Sequence, residues 1–209
     1  MVKLWINKSE SYSEFLKKEN KNDTLYSDEY EYVHFKKESK DSIDKQYHLT
    51  KKQIIFRDHI YTENEFIPVI VSENMPNYNW ILEEGTKVIG GYKCNKASLD
   101  FRGRHYNVWY TTEVPTQFGP WKFYGLPGLI VTIQTDDNSI FFQLSKLSFG
   151  KFEKMKKPSQ GKNITFEQYK KYQEKIVADF IEKIKSKMPR GSVVKVNSTD
   201  SNTIEKNYE

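Results

Sequence analysis

The stretch that decides the fold reads GPWKFYGLPGLIVTIQ and spans residues 119–134. Its first ten residues hold three glycines and two prolines, which excludes a helix because proline lacks the amide donor and glycine loses the most entropy on ordering. The apolar, β-branched run that follows, Leu129 to Ile133, is typical of a buried strand. A turn-rich entry therefore leads directly into a strand of the core.

The tight turn before this strand has its own chemistry. Pro127 fixes φ near −65°, Leu126 is held extended by the proline after it, and Gly128 can take φ > 0 as the third residue of a type II turn. This pattern predicts a structural corner. A loop that contacts a ligand is the alternative, since glycines admit close approach of the backbone. The residues that define the corner are Gly119, Pro120, Gly125, Leu126, Pro127 and Gly128.

Outward from this corner the sequence predicts two hairpins. The first joins residues 87–97 to 99–114 through a turn near 98–100, and the second joins 128–135 to 139–148. Short connections without helices between them favour an antiparallel sheet. The paired glycines Gly90-Gly91 favour a bend that curves it.

A helix closes the pattern. Thr165 and Gln168 form the sequence signature of a capping box, and apolar residues at spacings of three and four follow until Pro189. We therefore predict a mainly β, α+β fold: a curved antiparallel sheet, resembling an open half-barrel, with one long C-terminal helix packed on it.

The domain boundaries follow from composition. Residues 1–150 are predicted to form the sheet domain, with a mobile polar segment around 16–45 that is rich in charge, Ser and Asn. Residues 151–164 are predicted to be a linker, 165–188 the amphipathic helix, and 189–209 a flexible tail.

The corner sequence also carries a family resemblance. Gly125 to Ile130 spell GLPGLI, and the chain resembles the GLPGLI family of Bacteroidota envelope and secreted proteins over roughly residues 3–148. Further matching motifs lie upstream, at 80–82, 89–97, 101–104 and 108–111. The resemblance implies a periplasmic or secreted location, and it carries no catalytic residue to this chain. No signal peptide is recognisable in Met1 to Ile6, so we expect a fragment or a leaderless product.

The basic charge lies in the second part of the chain. Residues 1–145 hold 18 Lys and Arg against 20 Asp and Glu, whereas residues 146–190 hold 13 against 5. A solvated, lysine-rich helix face is the favoured interpretation, and peripheral contact of this basic helix with an anionic membrane surface is the alternative. No apolar run is long enough to span a membrane, and no nucleic-acid-binding signature is present. The oligomeric state is not indicated.

Two arginines form the first candidate site. Arg102 and Arg104 are expected on one face of a strand beside His105, where they would grip an anion. Pairing of these arginines with Glu83, Glu84 or Asp100 is the structural alternative. Three large aromatic residues complete the set of candidate ligand contacts: Trp109, Trp121 and Tyr124.

Catalysis and metal binding receive little support. Cys94 and His105 lie on strands that are expected to pair, so a hydrolase-type nucleophile and base is conceivable, but no orienting third group is identifiable. The single cysteine excludes an internal disulfide. The spacing of the four histidines matches no compact ligand pattern, and we expect no metal and no cofactor.

These observations favour a non-enzymatic envelope or secreted protein that binds an apolar or peptidic ligand, or an envelope partner, between its sheet and helix. A hydrolase with a site near Cys94 and His105 is one alternative. The other is a purely structural or partner-docking module that uses the tyrosine-rich segment 26–35.

Overall fold

The computed structural model describes residues 1–16, 43, 45–61, 66–151 and 154–187. Nearly all of the predicted mobile segment 16–45, the tyrosine-rich segment 26–35 within it, and the tail 189–209 lie outside the described residues. The described part contains eleven strands and one helix: β1 (Val2–Ile6), β2 (Glu10–Phe15), β3 (Gln46–Thr50), β4 (Gln53–Tyr61), β5 (Phe66–Asn74), β6 (Ile81–Ile89), β7 (Tyr92–Phe101), β8 (Arg104–Thr111), β9 (Leu129–Thr135), β10 (Phe141–Gln143), β11 (Lys162–Thr165) and α1 (Phe166–Lys187).

The strands form two sheets that are not closed into a barrel. The first has the order β1-β2-β3-β4-β5-β11 and the second has the order β10-β9-β8-β7-β6. The predicted mainly β, α+β class with a C-terminal helix is confirmed. The strands are shared between two sheets rather than continuing through one, and β11 runs parallel to β5 while the other pairs are antiparallel.

The core lies where buried side chains of the two sheets meet. Leu49, Phe56 and Val71 of the first sheet belong to the same apolar cluster as Val108 and Ile133 of the second. The connection between β8 and β9 inserts four further buried apolar residues into this cluster, namely Phe118, Trp121, Phe123 and Leu126. Side chains, chiefly aromatic, therefore fill the space between the two sheets.

In the corner before β9, the backbone packs closely against the end of β8. Gly125 has φ +106°, whereas Gly128 does not have positive φ, so Gly128 does not take the conformation that a type II turn would give it. A Cβ at Gly128 would lie 2.0 Å from the backbone oxygen of Thr111 in β8. Gly128 is needed because the β8 backbone passes against it, and Gly125 supplies the left-handed residue.

The β7–β8 hairpin turns later than the sequence suggested. Phe101 pairs with Arg104, and the two residues between them, Arg102 and Gly103, have φ values of +52° and +73°. Positive φ at both central residues is the property of a type I′ turn, which matches the twist of the flanking strands. The prediction of a turn at 98–100 is therefore wrong, and Arg102 lies on the turn.

The helix begins as predicted. The amide of Thr165 donates to Gln168 Oε1 at 3.0 Å, and the Gln168 amide donates to Thr165 Oγ1 at 3.2 Å, which confirms the capping box. The helix packs on β4, β5 and β11. Because the end of the predicted linker 151–164 forms most of β11, the helix is joined directly to a strand of the first sheet.

A buried hydrogen bond ties the helix to β4. The Tyr169 hydroxyl donates to Asp58 Oδ2 at 2.9 Å, and Lys45 Nζ lies 3.0 Å from the same oxygen. Burial alone would raise the pKa of Asp58, but Lys45, the His59 amide and the Tyr169 hydroxyl outweigh it and hold that pKa below its usual range. The carboxylate is therefore ionised where the helix docks.

Candidate functional site

A cleft of about 780 Å³ opens where the end of β5, the β7–β8 turn and the start of α1 converge. Its walls are residues 72–77, residues 100–102, and residues 165–167 with Lys170. Apolar side chains, among them Met75 and Phe166, alternate there with charged ones. A concave site of this size with a mixed lining is suited to binding a ligand.

Three charged side chains form a buried ion cluster beside the cleft, and two of them, Glu73 and Arg102, line it. Arg102 Nη2 donates to Glu73 Oε1, and Lys122 Nζ donates to Glu73 Oε2 at 2.9 Å. The side chains of Glu73, Arg102 and Lys122 are only 4%, 5% and 1% exposed. Ion pairs that are this deeply buried hold both partners in fixed positions, because separating them leaves a charge without solvent. Glu73 thus joins β5 to the turn of the second sheet and to the corner segment.

Two phenylalanine rings surround the cations of this cluster. Lys122 Nζ lies 4.0 Å from the centre of the Phe56 ring, and Arg102 Cζ lies 4.6 Å from the centre of the Phe166 ring. The negative faces of the rings favour the cations electrostatically. Phe166 is the first residue of α1, so the start of the helix is held over the ion cluster.

Local sequence explains why these residues converge. Glu73 follows Val69 and Val71 at the strand period of two, so its side chain points to the same buried face as theirs. Arg102 occupies the β7–β8 turn, and Lys122 follows Trp121, whose φ is +58°. Positive φ, as at Arg102 and Trp121, is a backbone conformation that residues other than glycine rarely adopt. At the first position the side chain of Arg102 itself enters the core, and after the second the side chain of Lys122 does so.

Glu73 and Lys122 were not among the candidates derived from the sequence. The sequence around each of them nevertheless indicates a buried charge. Glu73 continues the buried alternation of Val69 and Val71, and Lys122 is the only charge in a stretch of apolar and turn residues. A charge that falls on a buried position predicts an internal partner, because isolated buried charges are very costly.

The predicted pair of arginines is not joined in one site. Arg102 contacts Glu73, whereas Arg104 donates to Asp137 Oδ2 at 3.0 Å and to Ser139 Oγ at 2.7 Å. In these contacts neither arginine pairs with Glu83, Glu84 or Asp100, which were the partners of the structural alternative. Asp100 instead contacts His105, whose Nδ1 lies 2.7 Å from Asp100 Oδ1.

The three aromatic candidates lie in different places. Trp121 is 1% exposed and packs on Phe123 with ring centres 5.0 Å apart, so it belongs to the core. The Tyr124 hydroxyl donates to Gln117 Oε1 at 3.0 Å within the corner segment. Trp109 lies in β8 opposite Lys96 and Thr132 and is partly exposed.

Comparison with known proteins places the chain in a family. Residues 6–174 match the family described as the N-terminal domain of the N-glycanase peptide. The chain belongs to this family of N-glycanase N-terminal domains. Membership fits a non-catalytic binding or structural module. No curated protein matches the chain.

Among solved structures, the chain is similar to two structures of PNGF-II, in different space groups. They are 13% and 14% identical to it, with a TM-score of 0.44 in both cases. Each comparison covers 79% of this chain and 28% of the PNGF-II chain. The chain therefore spans little more than a quarter of the length of the PNGF-II proteins.

The structure does not bring Cys94 and His105 together. His105 pairs with Asp100 across β7 and β8, and Cys94 lies six positions before Asp100 on β7. At about 3.3 Å per residue that distance is about 20 Å. Cys94 is fully buried. Burial raises the pKa of the Cys94 thiol, which disfavours the nucleophilic thiolate.

We expect Cys94 in the native domain to resist modification by a thiol reagent such as dithionitrobenzoate. Its reaction should be at least about a hundredfold slower in buffer than in denaturant, because only local or global opening exposes a buried thiol. The measurement is the absorbance of the released thiolate over time. Rapid stoichiometric modification of the folded protein would contradict the buried, inactive thiol.

Two further features of the chain concern metals and membranes. Within the residues that the structure describes, no group of three or more His, Cys, Asp or Glu side chains is arranged to hold a metal ion. In the same part of the chain, no helix combines the length and the apolar character needed to cross a bilayer.

Proposed function

We propose that the chain is a non-enzymatic binding domain that holds a peptidic ligand in the cleft between β5, the β7–β8 turn and α1. The observation that carries this proposal is the cleft itself, with a mixed lining in which a buried ion pair holds Glu73 and Arg102 together. Pre-organised walls lower the entropic cost of binding, because the protein is not ordered further by the ligand.

The lining favours a peptide over a wholly apolar ligand. Met75, Pro76 and Phe166 offer apolar contacts, while Asp100, Glu167 and Lys170 place both signs of charge around the opening. A peptide combines apolar side chains with charged groups and backbone amides, and protein surfaces that bind such ligands show the same apolar centre and polar rim.

A charge reversal at the rim tests the proposal. Peptides are first selected from a random dodecapeptide display library on the parent protein, and their affinity is then measured by calorimetry for the parent and for Lys170→Glu. We expect Lys170→Glu to bind acidic selected peptides about five- to tenfold more weakly and basic ones about five- to tenfold more tightly. A tenfold change in affinity corresponds to about 1.4 kcal/mol of binding free energy.

The matched control is Lys171→Glu. Lys171 is the next residue of α1, it is exposed, and it is not part of the cleft wall. Both variants change the net charge equally, so a general effect of charge on association would alter their affinities alike. Selection of no peptide, or equal affinities for the two variants, would contradict binding in the cleft.

We also propose that the protein functions in the periplasm or outside the cell. The support for this location is the GLPGLI resemblance carried by Gly125 to Ile130. Fractionation of the source cells, with immunodetection of the protein in periplasmic and secreted fractions, tests it. Recovery only with a cytoplasmic marker would contradict the location without bearing on the cleft.

A further inference from the structure

One edge of the second sheet is formed by β6. The order of the sheet ends at this strand, whose nine residues pair with β7 on one side. Among the sheet edges that the structure describes it is the longest, since β10 has three residues, β1 has five, and β11 has four and carries α1 against it. A long edge presents backbone amide and carbonyl groups with which another strand is able to pair.

Apolar side chains at the two ends of β6 are exposed to solvent. Ile81, Leu82 and Val88 are 58%, 62% and 70% exposed. Edge strands of soluble proteins are commonly short or rich in charge, because a long apolar edge promotes association. The ends of β6 therefore favour contact with a further strand.

The sequence of β6 is complementary to itself when it is read in the opposite direction. Its nine residues read ILEEGTKVI, and Gly85 is the central one. An antiparallel copy centred on this glycine would place like apolar residues and opposite charges across from each other: Ile81 with Ile89, Leu82 with Val88, and Glu83 with Lys87. Apolar pairs and pairs of opposite charge are the cross-strand pairs that stabilise antiparallel strands.

The two faces of the sheet agree with this pairing. Leu82 and Val88 lie opposite Ala97 and Lys93, which are four positions apart and so share one face of β7. The other two pairs occupy the alternate positions of β6 and so share the opposite face. A two-fold axis perpendicular to the sheet keeps each face on its own side, so the members of every pair meet.

The centre of β6 is open to a second backbone. The register with β7 passes directly from Glu83 to Thr86, so Glu84 and Gly85 form a bulge without partners on β7. A Cβ at Gly85 would have no atom within 4 Å. A bulge bends its strand and disfavours pairing with an arbitrary flat strand. About a two-fold axis at Gly85, however, the bulges of both copies lie at the same point and the flanking pairs keep one register.

We propose that β6 is the interface of a two-fold symmetric dimer of this chain, in which the β6 strands of two copies pair antiparallel about Gly85. The five strands of each second sheet then belong to one continuous sheet. Glu83 contacts Lys96 of its own chain at 2.5 Å, but a carboxylate has about four acceptor sites, so it also accepts Lys87 of the second copy. The self-complementary sequence is what favours a second copy over a strand of another protein.

The dimer is weak and independent of the peptide cleft. A single strand pair buries less surface than a stable interface of standard size. No residue of β6 lines the cleft, so either proposal can fail alone.

Sedimentation velocity of the full chain, at concentrations from about 5 to 500 µM, tests the dimer. We expect the parent to pass from monomer to dimer within this range. Lys87→Glu should weaken the dimer at least about tenfold, because each Glu83 would then face a second carboxylate. The matched control is Lys51→Glu, which makes the same change of charge at an exposed position between β3 and β4 and should dimerise like the parent.

A charge exchange identifies the register. Glu83→Lys alone should also remain monomeric, whereas an equimolar mixture of Glu83→Lys and Lys87→Glu should form a heterodimer, because only the mixed pair brings opposite charges together at both positions. Since Glu83→Lys removes the contact with Lys96, circular dichroism checks its fold. Val88→Asp, at a position that is 70% exposed, is a further variant with an expected loss of at least about tenfold.

Two results would overturn the proposal. One is a parent protein that stays monomeric at about 500 µM, a concentration at which a weak but specific dimer is populated. The other is equal dimerisation of Lys87→Glu, Val88→Asp and Lys51→Glu, which would place the interface elsewhere on the molecule.

Discussion

Replacing Glu73 by glutamine is expected to lower the free energy of unfolding by about 3–5 kcal/mol, the usual cost of removing one partner from a buried ion pair. Glu73 accepts from both Arg102 and Lys122, and all three side chains are almost completely buried. Glutamine keeps the shape of the side chain but offers one neutral acceptor oxygen. The two cations would then share the core without the carboxylate between them.

Equilibrium unfolding in urea, followed by far-ultraviolet circular dichroism, measures this loss. Glu84→Gln is the control, since it removes the same charge from an exposed position of β6 and should change stability by less than about 0.5 kcal/mol. A further variant that replaces the whole cluster, Glu73→Leu with Arg102→Met and Lys122→Met, should recover much of the loss. If Glu73→Gln were as stable as the parent, the ion cluster would not hold the two sheets and the corner together.

Replacing Gly128 by alanine is expected to cost about 3 kcal/mol or more. The added Cβ would lie 2.0 Å from the Thr111 oxygen, 2.6 Å from its carbonyl carbon and 3.0 Å from Thr112 Cα. These are backbone atoms of β8 and of the residue after it, and they cannot move aside as a flexible side chain would. Overpacking of this kind displaces the backbone and commonly exceeds the cost of a lost side-chain contact. We expect the β8–β9 pairing to open at its Thr111–Leu129 end.

Thermal unfolding of Gly128→Ala and Gly150→Ala provides the comparison. A methyl group added at Gly150 would meet no atom within 4 Å, and Gly150 does not have positive φ, so its replacement should change the melting temperature by only a degree or two. The Gly128 variant should melt at least about 6 °C lower, which is the shift expected for 3 kcal/mol in a domain of this size. Equal melting temperatures would contradict the close approach of the two strands.

Local signals in the sequence predicted local structure well. The capping box of Thr165 and Gln168 fixed the start of the helix, because its two hydrogen bonds depend only on residues three apart. The strand after the corner was likewise predictable, since Leu129 to Ile133 combine β-branched residues with turn chemistry before them. The mainly β class followed from these signals.

Pairing between distant segments was not predictable in the same way. Strand propensity shows that a segment is extended, but it does not identify its neighbour. Nothing local in residues 162–165 indicates that they pair with Val69–Ser72 in parallel, and a four-residue strand within a polar segment resembles a linker. The division into two sheets is likewise a property of the packed core.

The candidate site was only partly predictable for the same reason. Arg102 was singled out together with Arg104 as an anion grip, yet its partner Glu73 comes from the other sheet and Lys122 from the corner segment. Their convergence depends on how the sheets pack. The placement of Trp109 on a solvated face, by contrast, follows from strand alternation, once β8 is known to lie between two partners.

The parallel pairing of β11 with β5 also has a kinetic consequence. The whole of the second sheet lies between these two strands in the chain, so the sixth strand of the first sheet is added across a very long loop. Closing such a loop is entropically costly before its contacts form, and high contact order slows folding. We therefore expect the helix that follows β11 to reach its docking surface late in folding, after the antiparallel strand pairs with short connections have formed.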